Sequence, residues 1–125
     1  MAVTYTVKSA DVMLTQTVTL PNWVDSGSAS PQEQSAWNQG QQTLKAHELG
    51  HVDINRSQAE KLDKSLPGTS GTGIAPTTKT AATEAQKRVA GAIGGKVKTN
   101  VAETNRQQQQ YDKRTDHGRK QEEQK

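Results

Sequence analysis

The chain has 125 residues, of which 30% are hydrophobic and 3% aromatic, and it contains neither Phe nor Cys. One domain is expected at this length, and a core this poor in large apolar side chains leaves room for a bound metal to add stability. No run approaches the roughly 20 apolar residues that span a bilayer, the N-terminus carries no secretory signal, and without Cys any metal must be held by His, Asp or Glu.

The net charge of +3 is unevenly distributed along the chain. Residues 1–78 hold five Lys or Arg against seven Asp or Glu, whereas residues 79–125 hold eleven against six. Nucleic-acid binding would favour basic residues clustered with aromatic ones, but here they are mixed with Glu, Asp and Gln, and Tyr111 is the one aromatic residue of this part. The basic residues are therefore interpreted as a solvated helix face, and no nucleic-acid partner is expected.

Two segments near the N-terminus predict β-strands. Residues 2–8 and 12–20 are rich in β-branched side chains and alternate imperfectly between apolar and polar residues. The three residues between them are short enough for a hairpin turn, and Pro21 ends the second segment. The sequence therefore predicts an N-terminal β-hairpin or small antiparallel sheet.

A long helix is predicted to begin at Ser30, because Ser30-Pro31-Gln32-Glu33 has the pattern of a capping box with Pro at the first helical position. The helix must stop by Leu66, since Pro67-Gly68 follow. Side chains that would face inward recur at three- and four-residue spacings along it: Trp37, Leu44, His47, His51, Ile54 and Leu62.

A second helix is predicted from about residue 80 to residue 113, after a Gly/Thr/Pro-rich loop at 67–78. The glutamine run at 107–110 lies inside this helix and is interpreted as part of its surface. Together the elements predict an α+β fold, in which a small antiparallel sheet packs with two long helices. Residues 1–118 are expected to form a single domain and residues 119–125 a polar tail.

His47-Glu48-Leu49-Gly50-His51 has the pattern H-E-x-x-H and lies within the first predicted helix. Four residues at 3.6 per turn leave the two imidazoles about 40° apart on one face, so both can reach one metal ion. Glu48 then projects beside the open position, where it can act as general base on a zinc-activated water. A structural site is the alternative interpretation, although structural zinc usually has four protein ligands.

The third metal ligand has to come from outside the first helix. The extended motif would need a glycine where this chain has Ile54 and a histidine where it has Ser57. The one other histidine, His117, stands just past the end of the second predicted helix and is predicted as the third ligand. Asp112 and Asp116 remain open alternatives, because either could replace His117 or orient a ligating imidazole through its other nitrogen.

Four landmarks occur in order and span nearly the whole chain: Leu20-Pro21-x-Trp23, Trp37, His47-Glu48-Leu49-Gly50-His51 and Tyr111-Asp112-x-x-Thr115-x-His117-Gly118. With them the chain resembles a family of bacterial secreted zinc-dependent proteases long catalogued only as domain of unknown function 922. The last landmark is the specific one, whereas H-E-x-x-H is shared by many metalloprotease families.

The resemblance implies a secreted or periplasmic zinc metallopeptidase acting on a peptide or protein substrate. It carries over His47, His51 and His117 as zinc ligands and Glu48 as the catalytic residue. It also makes Tyr111 a candidate to stabilise the oxyanion, for which a packed helix-end aromatic is the competing interpretation. The alternative function is a zinc-stabilised binding domain of the bacterial cell envelope that does not hydrolyse its partner.

Overall fold

A computed structural model describes residues 1–118 of the chain. Its elements are, in order, β1 (Ala2–Thr6), a single 3-10 turn (Ser26–Ser28), α1 (Pro31–Ser65), β2 (Ser70–Ile74) and α2 (Thr78–Arg114). A two-stranded antiparallel sheet with two long helices confirms the predicted α+β class. The predicted tail, 119–125, lies outside the described residues. Neither described helix combines the length and apolar character needed to cross a membrane.

The first helix begins at the predicted capping box. Ser30 Oγ accepts a hydrogen bond from the Glu33 backbone N–H at 3.1 Å, and the Glu33 carboxylate accepts one from the Ser30 N–H at 3.1 Å. These bonds satisfy two amide donors that a helix start leaves open, and Pro31 fills a position that needs no donor. The helix then continues through Gly40 to Ser65, one residue before the predicted limit.

The Ser30–Glu33 contact adds a pH-dependent contribution to stability. Hydrogen bonding to the Ser30 side chain, and then to its backbone amide, lowers the pKa of Glu33 from its ordinary value of 4.5. Because the folded-state pKa is depressed, this contribution is present above the unfolded value and is lost as the pH falls through the folded value. We expect Ser30→Ala to raise the pKa of Glu33 toward 4.5 in an NMR titration of its carboxyl group. An unchanged pKa would contradict this role of Ser30.

The partner of β1 is β2, so the predicted N-terminal hairpin is wrong. The strands are antiparallel, with Ala2 opposite Ile74 and Thr6 opposite Ser70. Residues 12–20, predicted as the second strand, form no regular secondary structure, and the predicted loop at 67–78 contains β2 instead. A β-branched composition favours an extended chain, but a strand also requires a neighbouring strand with which to pair.

The glycines of β2 explain why its sequence resembles a loop. A Cβ atom added at Gly73 would lie 1.9 Å from the Ala81 carbonyl oxygen, and one added at Gly71 would lie 2.3 Å from the Val89 nitrogen. The backbone of β2 therefore lies directly against the first turns of α2, at a distance that excludes any larger residue at these two positions. Glycine within a strand often marks such a close approach of another backbone.

The described chain contains two compact units, and each takes a part of both long helices. The first unit combines Met1–Leu14 with Arg56–Asn105 and contains the sheet. Its buried apolar side chains are those of Leu66, Ala81 and Ala85, so its core is built largely from small residues.

The second unit combines Thr15–Asn55 with the chain from Arg106 onward and contains the histidine motif. Two of the sequence landmarks meet in it, because the rings of Trp23 and Trp37 lie with their centroids 5.4 Å apart. Its most buried side chains are those around the motif: His47, Tyr111 and Thr115.

Candidate metal centre

His47 and His51 lie one turn apart on α1, as the motif predicts, with their Nε2 atoms 3.2 Å apart. Asp112, near the end of α2, places its Oδ1 atom 3.0 Å from His47 Nε2 and 2.7 Å from His51 Nε2. Within residues 1–118, these three side chains are close enough to hold a metal ion, and they are called the histidine–aspartate group below. The third member is thus one of the two aspartates that the sequence left open.

Thr115 offers a hydrogen-bond acceptor to the His47 ring. The Thr115 hydroxyl donates to the Tyr111 backbone oxygen at 2.8 Å. The Thr115 Oγ1 atom can therefore accept a hydrogen bond from His47 Nδ1, which lies 3.3 Å away. An imidazole that carries its N–H on Nδ1 has its lone pair on Nε2, so this contact suits a ring that binds a metal through Nε2.

Gln108 has the corresponding role for His51. Its Nε2 donates to the His51 carbonyl oxygen at 2.9 Å and to Asn55 Oδ1 at 2.8 Å, which turns its Oε1 toward His51 Nδ1. Asn55 is itself oriented, because its Nδ2 donates to Gln16 Oε1 at 3.0 Å. This amide chain, Gln16–Asn55–Gln108, holds an acceptor at His51 Nδ1, which suits a ring that binds a metal through Nε2.

Two imidazole nitrogens and one carboxylate oxygen therefore converge in the histidine–aspartate group. They lie 2.7–3.2 Å from one another, so a single cation can contact all three. Tetrahedral ligands with zinc bonds of about 2.05 Å lie about 3.3 Å apart, close to the observed separations. Two imidazoles and one carboxylate also form a known ligand set of catalytic zinc sites, which keep a fourth position open. The donor set fits a zinc ion.

Tyr111 packs against both histidines. Its ring stacks on His47 with centroids 4.9 Å apart and meets His51 edge-on at 4.8 Å, and the residue is 5% exposed. Its hydroxyl donates to the His47 carbonyl oxygen at 2.9 Å. These contacts match the packed helix-end aromatic that the sequence offered as the competing interpretation, and they hold the His47 ring in place.

Gly50 makes room for this tyrosine, because a Cβ atom at position 50 would lie 2.0 Å from the Tyr111 hydroxyl oxygen and 2.3 Å from the nearest ring atom, Cζ. We expect Gly50→Ala to lower the free energy of unfolding. Overpacking costs about 1–3 kcal/mol, against about 1 kcal/mol gained by replacing a helical glycine with alanine. Gly40→Ala in the same helix is the control, because its Cβ meets nothing within 4 Å and the helical gain should remain.

Urea unfolding of the two variants measures the difference. A Gly50→Ala protein at least as stable as the Gly40→Ala protein would show that Tyr111 moves aside without cost, and that the contact does not hold the site.

His117 lies outside the histidine–aspartate group and is exposed. The helix ends in a Schellman motif, in which the Asp116 N–H donates to the Lys113 oxygen at 3.3 Å and the His117 N–H to the Asp112 oxygen at 2.7 Å. Asp116 and His117 both have positive φ, 48° and 55°. These two left-handed residues change the direction of the chain at His117, the residue predicted as the third ligand. Ligation by His117 therefore stays a prediction that this geometry does not support.

Glu48 is half-buried on α1, and its carboxylate is not a member of the histidine–aspartate group. A general base has this relation to a metal site, since it follows a ligand in sequence without being one itself. Asp53 lies on the exposed side of the helix, as expected for a surface charge.

Three residues that support His47 and His51 escaped the sequence interpretation. Gln108 was assigned to the helix surface, and no role was given to Thr115 or Gly118, whose Cβ position lies 3.1 Å from His47 Cγ. A usable signal was present: Gln108, Asp112 and Thr115 follow one another at steps of four and three residues. Polar residues at this spacing form one stripe of a helix, which indicates a polar site rather than a solvated face.

The fold and the site together define a small α+β protein with a candidate metal centre built on H-E-x-x-H. The chain belongs to the family described as "Bacterial protein of unknown function (DUF922)", which matches residues 2–118. No curated protein and no solved structure matches it. The family resemblance is thereby confirmed, while its description names no activity.

Proposed function

We propose that the chain is a zinc-dependent metallopeptidase that is secreted or periplasmic and hydrolyses peptide bonds in a peptide or protein substrate. The observation that carries the proposal is the convergence of two imidazole nitrogens and one carboxylate oxygen, with both rings held by surrounding side chains. When bound, zinc supplies Lewis-acid polarisation of the scissile carbonyl and lowers the pKa of a water molecule.

His47, His51 and Asp112 would hold the metal, with Asp112 as third ligand in place of His117. Their side chains are 5%, 21% and 33% exposed, respectively, so the group is accessible from the Asp112 side, where a substrate can approach. Thr115 and Gln108 would accept the Nδ1 protons of the metal-bound imidazoles, so each ring could offer its Nε2 lone pair without rearrangement.

Glu48 would act as the general base. Its carboxylate accepts a proton from the attacking water and returns it to the nitrogen of the leaving amine, so the proton balance closes within one turnover. Tyr111 would be a positioning residue, because its hydroxyl already donates to the His47 carbonyl and its ring packs on both imidazoles.

The alternative is a zinc-stabilised binding domain without turnover. It is favoured by the burial of His47, Tyr111 and Thr115, which makes the metal centre also the packed centre of the second unit. A metal ion held there would join parts of the chain about 60 residues apart in sequence, which is expected to stabilise the fold whether or not hydrolysis occurs.

Metal analysis of the purified protein, combined with a general protease assay, tests the proposal. We expect one zinc per chain, hydrolysis of a fluorescent casein that EDTA abolishes and added zinc restores, and a lower melting temperature after EDTA treatment. Protein without zinc after growth in zinc-supplemented medium would overturn both functions. Bound zinc and a metal-dependent melting temperature without hydrolysis would favour the binding domain.

A further inference from the structure

The first unit contains a cleft of about 570 Å³, within the range of about 300–1,000 Å³ typical of small-molecule sites. One wall is the C-terminal part of α1 and the other is the middle of α2. Most of the surface that lines it is apolar, with Leu62 and Ala92 among the lining residues, and no member of the histidine–aspartate group contributes to it. The cleft is therefore a separate feature that the proposed function does not use.

Gly95 contributes no side chain to the cleft wall. It lines the cleft from α2, and a Cβ atom added there meets nothing within 4 Å. Glycine is unfavourable in a helix interior, yet α2 continues through this position without a break. Any larger residue would project into open space on that wall.

Gln58 is a lining residue of the cleft and carries a buried hydrogen-bond donor. The residue is 3% exposed, and within the described chain its Nε2 atom has no hydrogen-bond partner. Its backbone oxygen accepts a hydrogen bond from Asn100 Nδ2 at 2.9 Å. A buried donor without an acceptor is unfavourable, and an acceptor atom brought by a ligand would satisfy it.

The charges of the lining favour a negatively charged ligand. Lys61 and Lys96 line the cleft together with one carboxylate, that of Glu103, so its net charge is +1. Lys96 Nζ donates to the Ser65 carbonyl oxygen at 2.6 Å and to Thr69 Oγ1 at 2.7 Å, both of which are neutral. Its positive charge is thus positioned beside the cleft without being balanced by these acceptors.

We propose that this cleft binds a small amphiphilic carboxylate, such as a medium-chain fatty acid. Its apolar chain lies along Leu62, Ala92 and the space left by Gly95. Its carboxylate accepts hydrogen bonds from a lysine ammonium group and, after the buried amide turns toward the cleft, from Gln58 Nε2. Such bonds to a charged acceptor are stronger than bonds to a neutral one.

Titration of the full chain with decanoate, followed by calorimetry and by backbone amide NMR, tests this inference. We expect saturable binding with shifts confined to residues 58–65 and 92–103. 1-Decanol has the same chain without the charge and is expected to bind about tenfold more weakly or worse. Equal binding of the two, or non-saturable partitioning, would overturn the proposal.

Two glycine variants distinguish an effect of filling the cleft from a general effect on α2. Gly95→Leu should fill the cleft and weaken decanoate binding by about tenfold or more. Gly94→Leu is the matched control, because its Cβ position is equally open but Gly94 does not line the cleft. Both changes introduce a better helix former, and circular dichroism checks the fold. Undiminished binding to the Gly95→Leu protein would overturn the assignment of this site.

Gln58→Leu provides a test that does not depend on blocking the cleft. Because it removes a buried donor that has no partner, we expect an unchanged or higher melting temperature together with weaker decanoate binding. Parental affinity for decanoate in this variant would contradict the role given to the amide.

Discussion

Asp112→Ala is expected to weaken zinc retention by more than about 100-fold, whereas His117→Ala should retain zinc like the parent. Replacing an outer-shell partner typically costs 10–100-fold in metal affinity, and a direct ligand should cost more. Asp112 Oδ1 lies within 3.0 Å of both imidazole Nε2 atoms, while His117 is exposed beyond the turn that ends α2. Competition with a chromophoric chelator measures both affinities.

Asp53→Ala is the control for the loss of one carboxylate, since Asp53 is exposed on the same helix as the histidines. It should leave zinc affinity unchanged. The opposite pattern, with zinc lost from the His117→Ala protein and kept by the Asp112→Ala protein, would restore the ligand set inferred from sequence and refute the one drawn from the geometry.

Glu48→Gln is expected to lower kcat/KM for a peptide substrate by about 10²–10⁴-fold while leaving one zinc per chain. This range is what positioned proton transfer typically contributes. The amide has the same shape as the carboxylate but cannot accept the proton of the attacking water. Because Glu48 lies outside the histidine–aspartate group, its replacement should remove no metal bond.

Glu60→Gln makes the same chemical change at an exposed position of α1 and should leave the rate unaltered. Zinc content is measured on the same samples as the rate, so loss of metal and loss of proton transfer are distinguished. Hydrolysis at the parental rate by the Glu48→Gln protein would contradict the assignment of Glu48 as the general base.

Local signals predicted the helices well. The capping box at Ser30 and the Pro67-Gly68 pair bounded α1 to within a residue, because both act through the backbone of the helix end itself. The presence of a small antiparallel sheet was predicted correctly, but its second strand was predicted at residues 12–20 and lies at residues 70–74. Pairing with residues 70–74 depends on glycines that let β2 lie on α2, and this is a property of tertiary contact that local composition does not carry.

The candidate site was also predictable from local sequence only in part. Helical periodicity alone placed His47 and His51 on one face, and the structure brings their Nε2 atoms together. The third ligand lies on another element, which periodicity along α1 cannot identify. Two residues with positive φ turn the chain after Thr115, and ligation by His117 stays a prediction. Asp112, still inside the last helical turns, remains on the stripe that faces the histidines.

The pairing of β1 with β2 also sets an order of events during synthesis. Partners such as Ala2 and Ile74 are 72 residues apart, counting from 2 to 74, and all of α1 lies between them. At about 5–20 residues per second, the ribosome needs about 4–14 s to deliver the second strand after the first. During that interval the segment that becomes β1 has unpaired backbone groups, which chaperones and neighbouring chains can contact before its own partner exists.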